Sequence, residues 1–290
     1  MHPTLFELTA AGRAYSIDTH GLCITLGALL GLWLAIRLGD GLPLSRAEQR
    51  DLCLELVLAG ILGGRLLFVA AYAPAYMATC RESLAAGTFW PCTRALWLWE
   101  GGLSFHGGLV AALGWLLWRT RRPGPSTLSI ADVLVPGLAL AQAVAYIGCW
   151  FAGCCYGKPT STFGLRLPEA SVAFQDLLDR GLLPPGSDST PPLHPVQLWD
   201  SLGHLVLCVA LVLVLRRAHR PGRVLVSYLA GHALLRIVLG PLRGDVSLRP
   251  VTLGLSAEML TSLGLVVAAV AVEVWSRRSA HFFARPDRAC

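Results

Sequence analysis

Charged residues are scarce in this chain. Asp, Glu, Lys and Arg make up 14% of its 290 residues, whereas 54% are hydrophobic, and soluble domains usually carry about 25% charged residues. A chain of this length could form two soluble domains, but it has too few charged residues to cover their surfaces. The composition therefore favours a single polytopic membrane domain over residues 1–290. A cleavage pattern is also lacking before the first long apolar run. We therefore expect the first span to act as an uncleaved insertion signal.

Other signals are missing as well. The chain has no internal repeat, no glycine loop that would cradle a phosphate and no feature of nucleic-acid binding, so we expect neither a cofactor nor a nucleic-acid partner. Its nine cysteines match no disulfide or zinc framework. Cys23, Cys53 and Cys208 lie in apolar runs, where a free thiol behaves as a small hydrophobe. Cys80 and Cys92 share one polar connection and could form a disulfide in an oxidising compartment.

What the sequence does contain is apolar runs of membrane length. A helix needs roughly 20 apolar residues to cross a bilayer. Seven stretches reach or approach that length, at about residues 22–38, 52–72, 105–118, 130–151, 198–215, 224–239 and 253–274. They predict an all-α protein, a seven-helix transmembrane bundle.

The basic residues predict the orientation of this bundle. Dense arginine clusters follow the first, third and fifth spans and occupy the C-terminal tail, and such clusters belong in the cytoplasm. We therefore expect the N-terminus outside and the C-terminus in the cytoplasm. The segment at about 153–193, rich in Pro, Ser and Asp, then becomes an external loop, and Cys80 and Cys92 also fall on the external side.

Some ionisable residues lie within or beside these spans. Each costs at least about 2.5 kcal/mol at the centre of a membrane helix, so it requires a physical reason. Arg65, Arg236 and Arg243 carry guanidinium groups, which bind phosphate through two parallel hydrogen bonds and keep their charge. The nearest phosphates in a membrane are lipid headgroups, and snorkelling to the interface is the alternative. His106, between glycines at a span edge, could act as a general base or as a structural donor.

These pieces together resemble the prolipoprotein diacylglyceryl transferases, enzymes of the bacterial inner (cytoplasmic) membrane. The resemblance covers most of the chain in order. It rests mainly on the stretch Glu-Gly-Gly-x-Ser-Phe-His-Gly-Gly at residues 100–108 and on the seven-span layout. Weaker matches are His20-Gly21-Leu22, Gly63-Gly64-Arg65, residues 131–157, His194-Pro195-x-Gln197-Leu198 and residues 228–243.

The resemblance implies a reaction and a set of site residues. The family transfers a diacylglyceryl group from phosphatidylglycerol to the lipobox cysteine thiol in the signal-peptide region of a prolipoprotein. By resemblance, His106 is the catalytic base and Arg236 holds the headgroup phosphate. His20 stands where the family has a tyrosine. The expected substrate-binding residues are His20, Arg65, Tyr146, Gly157 and Arg243.

The chain departs from the family where the fourth span ends. The family signature reads Gly-Arg-x-Gly-Asn-Phe-x-Asn-x-Glu-x-x-Gly, and here its arginine is Tyr146, its asparagines are Cys149 and Ala152, and its glutamate is Cys154. Gly240 replaces a further family glutamate. Because a phosphate-handling site depends on such charges, a paralogue with another acceptor and a non-catalytic lipid- or thiol-binding protein remain alternatives.

The cysteines at these positions suggest several uses. Cys149, Cys154 and Cys155 could form a thiol pair, bind a soft metal, carry an acyl group or serve as small packing residues. Adjacent cysteines make a strained disulfide, and no histidine lies at usual zinc-ligand spacing from them. The sequence therefore gives no positive prediction of a metal site.

Overall fold

The computed structural model of the chain is mainly helical, and it describes residues 4–10, 13–97, 102–121, 124–184, 186–217, 220–245, 250–252 and 255–283. In these ranges the helices are α1 Thr19–Leu38, α2 Arg46–Ala71, α3 Ala73–Ala85, α4 Phe105–Arg119, α5 Thr127–Ala152, α6 Val172–Asp179, α7 Val196–Arg217, α8 Arg223–Leu239 and α9 Ala257–Phe283. Strands β1 Thr4–Ala10 and β2 Arg13–Asp18 pair antiparallel, as do β3 Pro250–Thr252 and β4 Leu255–Ser256. The sequence analysis did not predict these two small hairpins.

Each of the seven predicted spans overlaps a helix. In the described part of the chain, α1, α2, α5, α7 and α8 are long and apolar enough to cross a membrane. Helix α4 has 15 residues and a length of about 22 Å, which is shorter than the roughly 30 Å hydrocarbon core. The chain is therefore a multi-pass helical membrane protein, and the count of seven crossings stays a prediction.

The chain divides into two compact units. One consists of residues 1–39 and 128–290, and the other of residues 40–127. Within the first unit, α5, α7 and α8 share a core that includes Ala139, Leu211 and Val224. Asp132 of α5 accepts hydrogen bonds from the backbone N–H groups of Gly222 and Leu225, so it caps the start of α8. That residues 1–290 form a single membrane domain stays a prediction.

Helix α1 lies against α5 through small residues. A Cβ atom added to Gly137 would lie 2.2 Å from the carbonyl oxygen of Gly31, and one on Gly27 would lie 2.8 Å from that of Ala141. Such close backbone contact is typical of membrane helices with small residues at their interface. It brings the start of α1 beside the end of α5, where Gly148 lies next to His20.

The segment at 153–193 has a folded core. It contains α6, and Leu167, Phe174, Leu177 and Leu193 are buried together with Tyr156. Tyr156 donates a hydrogen bond to Asp176. Burial is the main cause that raises the pKa of the Tyr156 phenol, and the nearby Asp176 carboxylate raises it further. The segment predicted as an external loop thus has a small buried core of its own.

Candidate functional site

The first unit contains a buried ion pair between two neighbouring helices. Arg236 of α8 donates from Nη2 to Asp200 of α7, and these side chains are 9% and 0% exposed. Among the described residues, Nε of Arg236 and Oδ2 of Asp200 have no hydrogen-bond partner. Because buried polar groups are normally paired, this pair retains one donor and one acceptor that a ligand could use.

Tyr146 covers the guanidinium of this pair. The Cζ atom of Arg236 lies 5.6 Å from the centre of the Tyr146 ring, within the range of a cation–π interaction. On α7, the His204 ring stacks with Tyr146 at 5.3 Å between centroids. The tyrosine that replaces the family's arginine therefore supplies an aromatic face to Arg236 in place of a second positive charge.

A polar chain continues from this pair into the bundle. His204 contacts the carbonyl oxygen of Asp200 through Nδ1 at 2.7 Å and His232 through Nε2 at 3.0 Å. The His232 ring stacks on Tyr228, whose hydroxyl donates to Gln142 at 3.0 Å. Asp200, His204 and His232 were not among the predicted site residues. Their positions inside apolar runs were the available signal, since ionisable groups are costly there.

The three cysteines at the end of α5 converge. Gly153 has φ +73° and the Cys154 N–H donates to the Cys149 carbonyl at 3.1 Å, which together form a Schellman C-cap. This turn brings two residues that are five apart into contact, and the Cys154 thiol donates to the Cys149 carbonyl oxygen at 3.8 Å. Gln197 of α7 holds the turn by donating to the Cys154 carbonyl at 2.9 Å.

His20 joins this cysteine cluster. One ligand atom from each of His20, Cys149 and Cys154 lies within 4.8 Å of the others. The spacing of the cysteines in the sequence gave no reason to include a histidine 129 positions away from Cys149. The packing of α1 on α5 brings it there.

Arg243 and Gly157 lie where two backbone segments meet. Gly157 and Arg243 form an antiparallel bridge, and a Cβ on Gly157 would lie 2.4 Å from the carbonyl oxygen of His194. Close packing accounts for this glycine. Arg243 pairs with Asp245. Hydrogen bonds from Cys149 and Cys154, with the charge of Arg243, lower the pKa of the Cys155 thiol.

Arg65 lies in the second unit, where it organises the chain before α4. Its guanidinium donates to the carbonyl oxygens of Arg94, Ala95, Trp97 and Gly102 at 2.8–3.1 Å. Four of its five N–H groups are thus used by backbone. These contacts indicate a structural role, and substrate binding by Arg65 stays a prediction.

His106 also belongs to the second unit. It lies in the first turn of α4, is exposed, and follows Ser104, whose hydroxyl caps the helix by accepting from the Gly107 N–H. Glu100 and Gly101 of the matching motif lie outside the described residues. Close packing explains the glycines that follow His106, because a Cβ on Gly107 would lie 2.4 Å from the carbonyl oxygen of Gly63.

The second unit also contains the disulfide between Cys80 and Cys92 that the sequence left as one possibility. It joins α3 to the 3-10 helical segment Trp90–Leu96. This segment provides two of the carbonyl groups bound by Arg65, those of Arg94 and Ala95.

Comparison with known proteins gives matches along almost the whole chain. The model of the family described as prolipoprotein diacylglyceryl transferase matches residues 5–275. The phosphatidylglycerol–prolipoprotein diacylglyceryl transferase of Methylibium petroleiphilum is 29% identical over 287 residues, covering 97% of this chain and 99% of the relative. The enzyme of the same name from Gloeobacter violaceus is 29% identical, covering 92% and 91%. That from Paenarthrobacter aurescens is 30% identical, covering 89% and 77%.

Proposed function

This chain belongs to the prolipoprotein diacylglyceryl transferase family, and we propose that it transfers a diacylglyceryl group from phosphatidylglycerol to the lipobox cysteine of prolipoproteins. The observation that carries this proposal is the match over residues 5–275, which includes both His106 and Arg236. Its substrates are then a membrane lipid and the signal-peptide region of a secreted preprotein, and its location is the bacterial inner membrane.

The reaction replaces one bond at the glycerol carbon. The cysteine sulfur forms a C–S bond there, the C–O bond to the headgroup breaks, and glycerol phosphate leaves with the electron pair. The thiol proton passes to His106, which acts as the general base. Exposure of His106 at the start of α4 supports access by a peptide thiol.

Arg236 binds the lipid phosphate in this proposal. Its Nε donor has no partner among the described residues, while Nη2 is held by Asp200. A fixed guanidinium with an unused N–H can stabilise the charge that develops on the departing phosphate without reorganising. Asp200 then acts as a positioning residue. Arg243, paired with Asp245, is the second proposed phosphate contact.

The arrangement in the membrane follows from charge and exposure. We propose seven crossings with the N-terminus outside. Large apolar side chains are exposed on the spanning helices, among them Leu66, Leu202 and Val206, as expected where lipid covers the protein. The arginine-rich connections then face the cytoplasm, and the folded segment 153–193 faces outward.

Reconstitution tests the reaction directly. The full chain is placed in vesicles of phosphatidylglycerol with a lipobox peptide, and the thioether product is followed by mass spectrometry. We expect product from the wild type and at least a hundredfold slower formation by His106→Ala, because general-base catalysis contributes about 10²–10⁴-fold. Leu109→Ala, at an exposed position on the same helix, is the matched control and should retain activity. Absence of product from folded wild-type protein contradicts the proposal.

A further inference from the structure

Cys149 and Cys154 have no role in the transfer reaction proposed above, and His20 lies beside them. We propose that these three side chains form a binding site for a thiophilic metal ion with a filled d shell, Zn²⁺ or Cu⁺. Thiolate sulfur and imidazole nitrogen are the donors that such ions prefer. This inference goes beyond the transferase function and does not depend on it.

The spacing of the donors fits a metal ion. Zinc binds sulfur at about 2.3 Å and nitrogen at about 2.0–2.1 Å, so tetrahedral ligands lie about 3.5–3.8 Å apart. The ligand atoms here lie within 4.8 Å of one another. Side-chain movements of about 1 Å or less close this difference, which is within rotamer adjustment about a fixed backbone.

An unsatisfied atom independently points to a ligand. Nδ1 of His20 is buried and has no hydrogen-bond partner among the described residues. It lies so close to Gly148 that a Cβ there would be 3.2 Å away. Buried polar atoms of native proteins are normally paired, and a metal ion in this cluster would give the His20 ring the partner it lacks.

The backbone holds the donors in place before any ion binds. The Schellman turn at Gly153 fixes Cys154 beside Cys149, and Gln197 fastens that turn to α7. The small-residue contact between α1 and α5 fixes His20. A preformed site of this kind costs little ordering entropy when it binds.

Metal binding by the purified protein tests the proposal. The full chain is prepared anaerobically in detergent and titrated separately with Zn²⁺, Cu⁺ and Co²⁺. We expect one ion per chain, with competing chelators deciding between zinc and copper. Bound Co²⁺ should show sulfur-to-metal charge transfer and the strong visible bands of tetrahedral coordination.

Matched variants locate the ion. His20→Ala and the double variant Cys149→Ser/Cys154→Ser should weaken binding at least about a hundredfold, since losing even a hydrogen-bond partner of a ligand costs 10–100-fold. Cys208→Ala removes a buried free thiol of α7 that lies outside the cluster, and it should bind like the wild type. Equal binding by all variants overturns the proposal.

A measurement on the unaltered chain covers the case in which a variant fails to fold. The bound ion should protect Cys149 and Cys154 from alkylation, as mapped by peptide mass spectrometry, and leave Cys53, a free cysteine of α2, as reactive as before. If the ion does not protect these cysteines, or if the reduced and folded protein binds no metal ion, the proposal is contradicted. A disulfide between Cys149 and Cys154 in the anaerobically purified chain would also count against it. None of these readouts involves lipid transfer, so the two proposals fail separately.

Discussion

The Arg236–Asp200 pair shows how a single buried charge shapes its surroundings. A guanidinium inside a helical bundle needs a counter-charge, because leaving an ion uncompensated in a medium of low dielectric constant is strongly unfavourable. Asp200 supplies that charge from the neighbouring helix, and Tyr146 supplies an aromatic face. The pair thus holds α7 to α8 as well as presenting one N–H for a phosphate.

The pair makes a stability prediction. Asp200→Asn leaves the Arg236 charge buried without a carboxylate, and removing one partner of a buried pair costs about 3–5 kcal/mol. We expect a marked fall in the thermal unfolding temperature of the detergent-solubilised chain. Asp188→Asn, at an exposed position in segment 153–193, is the matched control and should unfold like the wild type.

A double variant tests whether the unpaired charge causes the loss of stability. Asp200→Asn combined with Arg236→Gln removes both charges and should recover most of the lost stability, though not the transfer activity. If Asp200→Asn alone unfolds at the wild-type temperature, the ion pair is not the contact that holds these helices.

The sequence identified only one residue of each of these buried contacts. Arg236 was predicted as a site residue because its charge lies within an apolar run, and Arg65 for the same reason. The partners were missed, since Asp200 and the carbonyl groups around Arg65 become neighbours only through helix packing. Likewise, the cysteines were noted but His20 was not joined to them. Pairing between distant segments is set by tertiary structure, which the periodicity of a single sequence does not encode.

At the scale of the helix, glycine controls which spans can touch. Helices α2 and α4 approach so closely that their backbones meet at Gly63 and Gly107. In lipid there is little hydrophobic drive to bring helices together, so close van der Waals contact between small residues carries the association. In the described part of the chain, Gly63 and Gly107 provide such a contact.

Two glycines of α4 offer a matched test of that role. A Cβ at Gly107 would lie 2.4 Å from the Gly63 carbonyl oxygen, whereas one at Gly114 would meet nothing within 4 Å. We expect Gly107→Ala to destabilise the chain by about 1–3 kcal/mol through overpacking. Gly114→Ala should be neutral or stabilise by up to about 1 kcal/mol, because alanine favours the helix. Thermal unfolding of the two variants in the same detergent measures the difference, and similar values would contradict the packing account.

The connecting segments were harder to predict than the helices. All seven apolar stretches coincide with helices because their length and hydropathy are local properties of the sequence. Segment 153–193 was predicted as an external loop, yet it encloses a core around Phe174 and Leu193. Helix α6 does carry a local signal, because Ala173, Phe174 and Leu177 lie on one buried face of the helix, but the sequence analysis did not use it. The rest of the segment is joined by isolated bridges such as Pro159 to Leu193, and such pairings have no local pattern in the sequence.

For the whole molecule, the orientation in the membrane decides which solvent each site faces. Moving an arginine-rich connection across the bilayer is unfavourable, so the clusters around Arg121 and Arg217 should remain in the cytoplasm. The proposed crossings then place the segment 153–193 and the cysteine cluster at the end of α5 near the outer surface. A diacylglyceryl transferase needs that side, because the lipobox cysteine of a secreted preprotein arrives there.

Site-directed labelling tests this orientation. Arg121→Cys, Ser187→Cys and Val206→Cys are expressed separately, and intact cells are treated with a membrane-impermeant maleimide, with the unsubstituted chain as the background. We expect Ser187→Cys to be labelled in intact cells and Arg121→Cys only after the membrane is opened. Val206→Cys, on an exposed apolar face of α7, should resist labelling in both conditions, because lipid excludes a charged reagent. Labelling of Arg121→Cys but not of Ser187→Cys in intact cells would reverse the orientation. The lipobox thiol and segment 153–193 would then lie on opposite sides of the membrane.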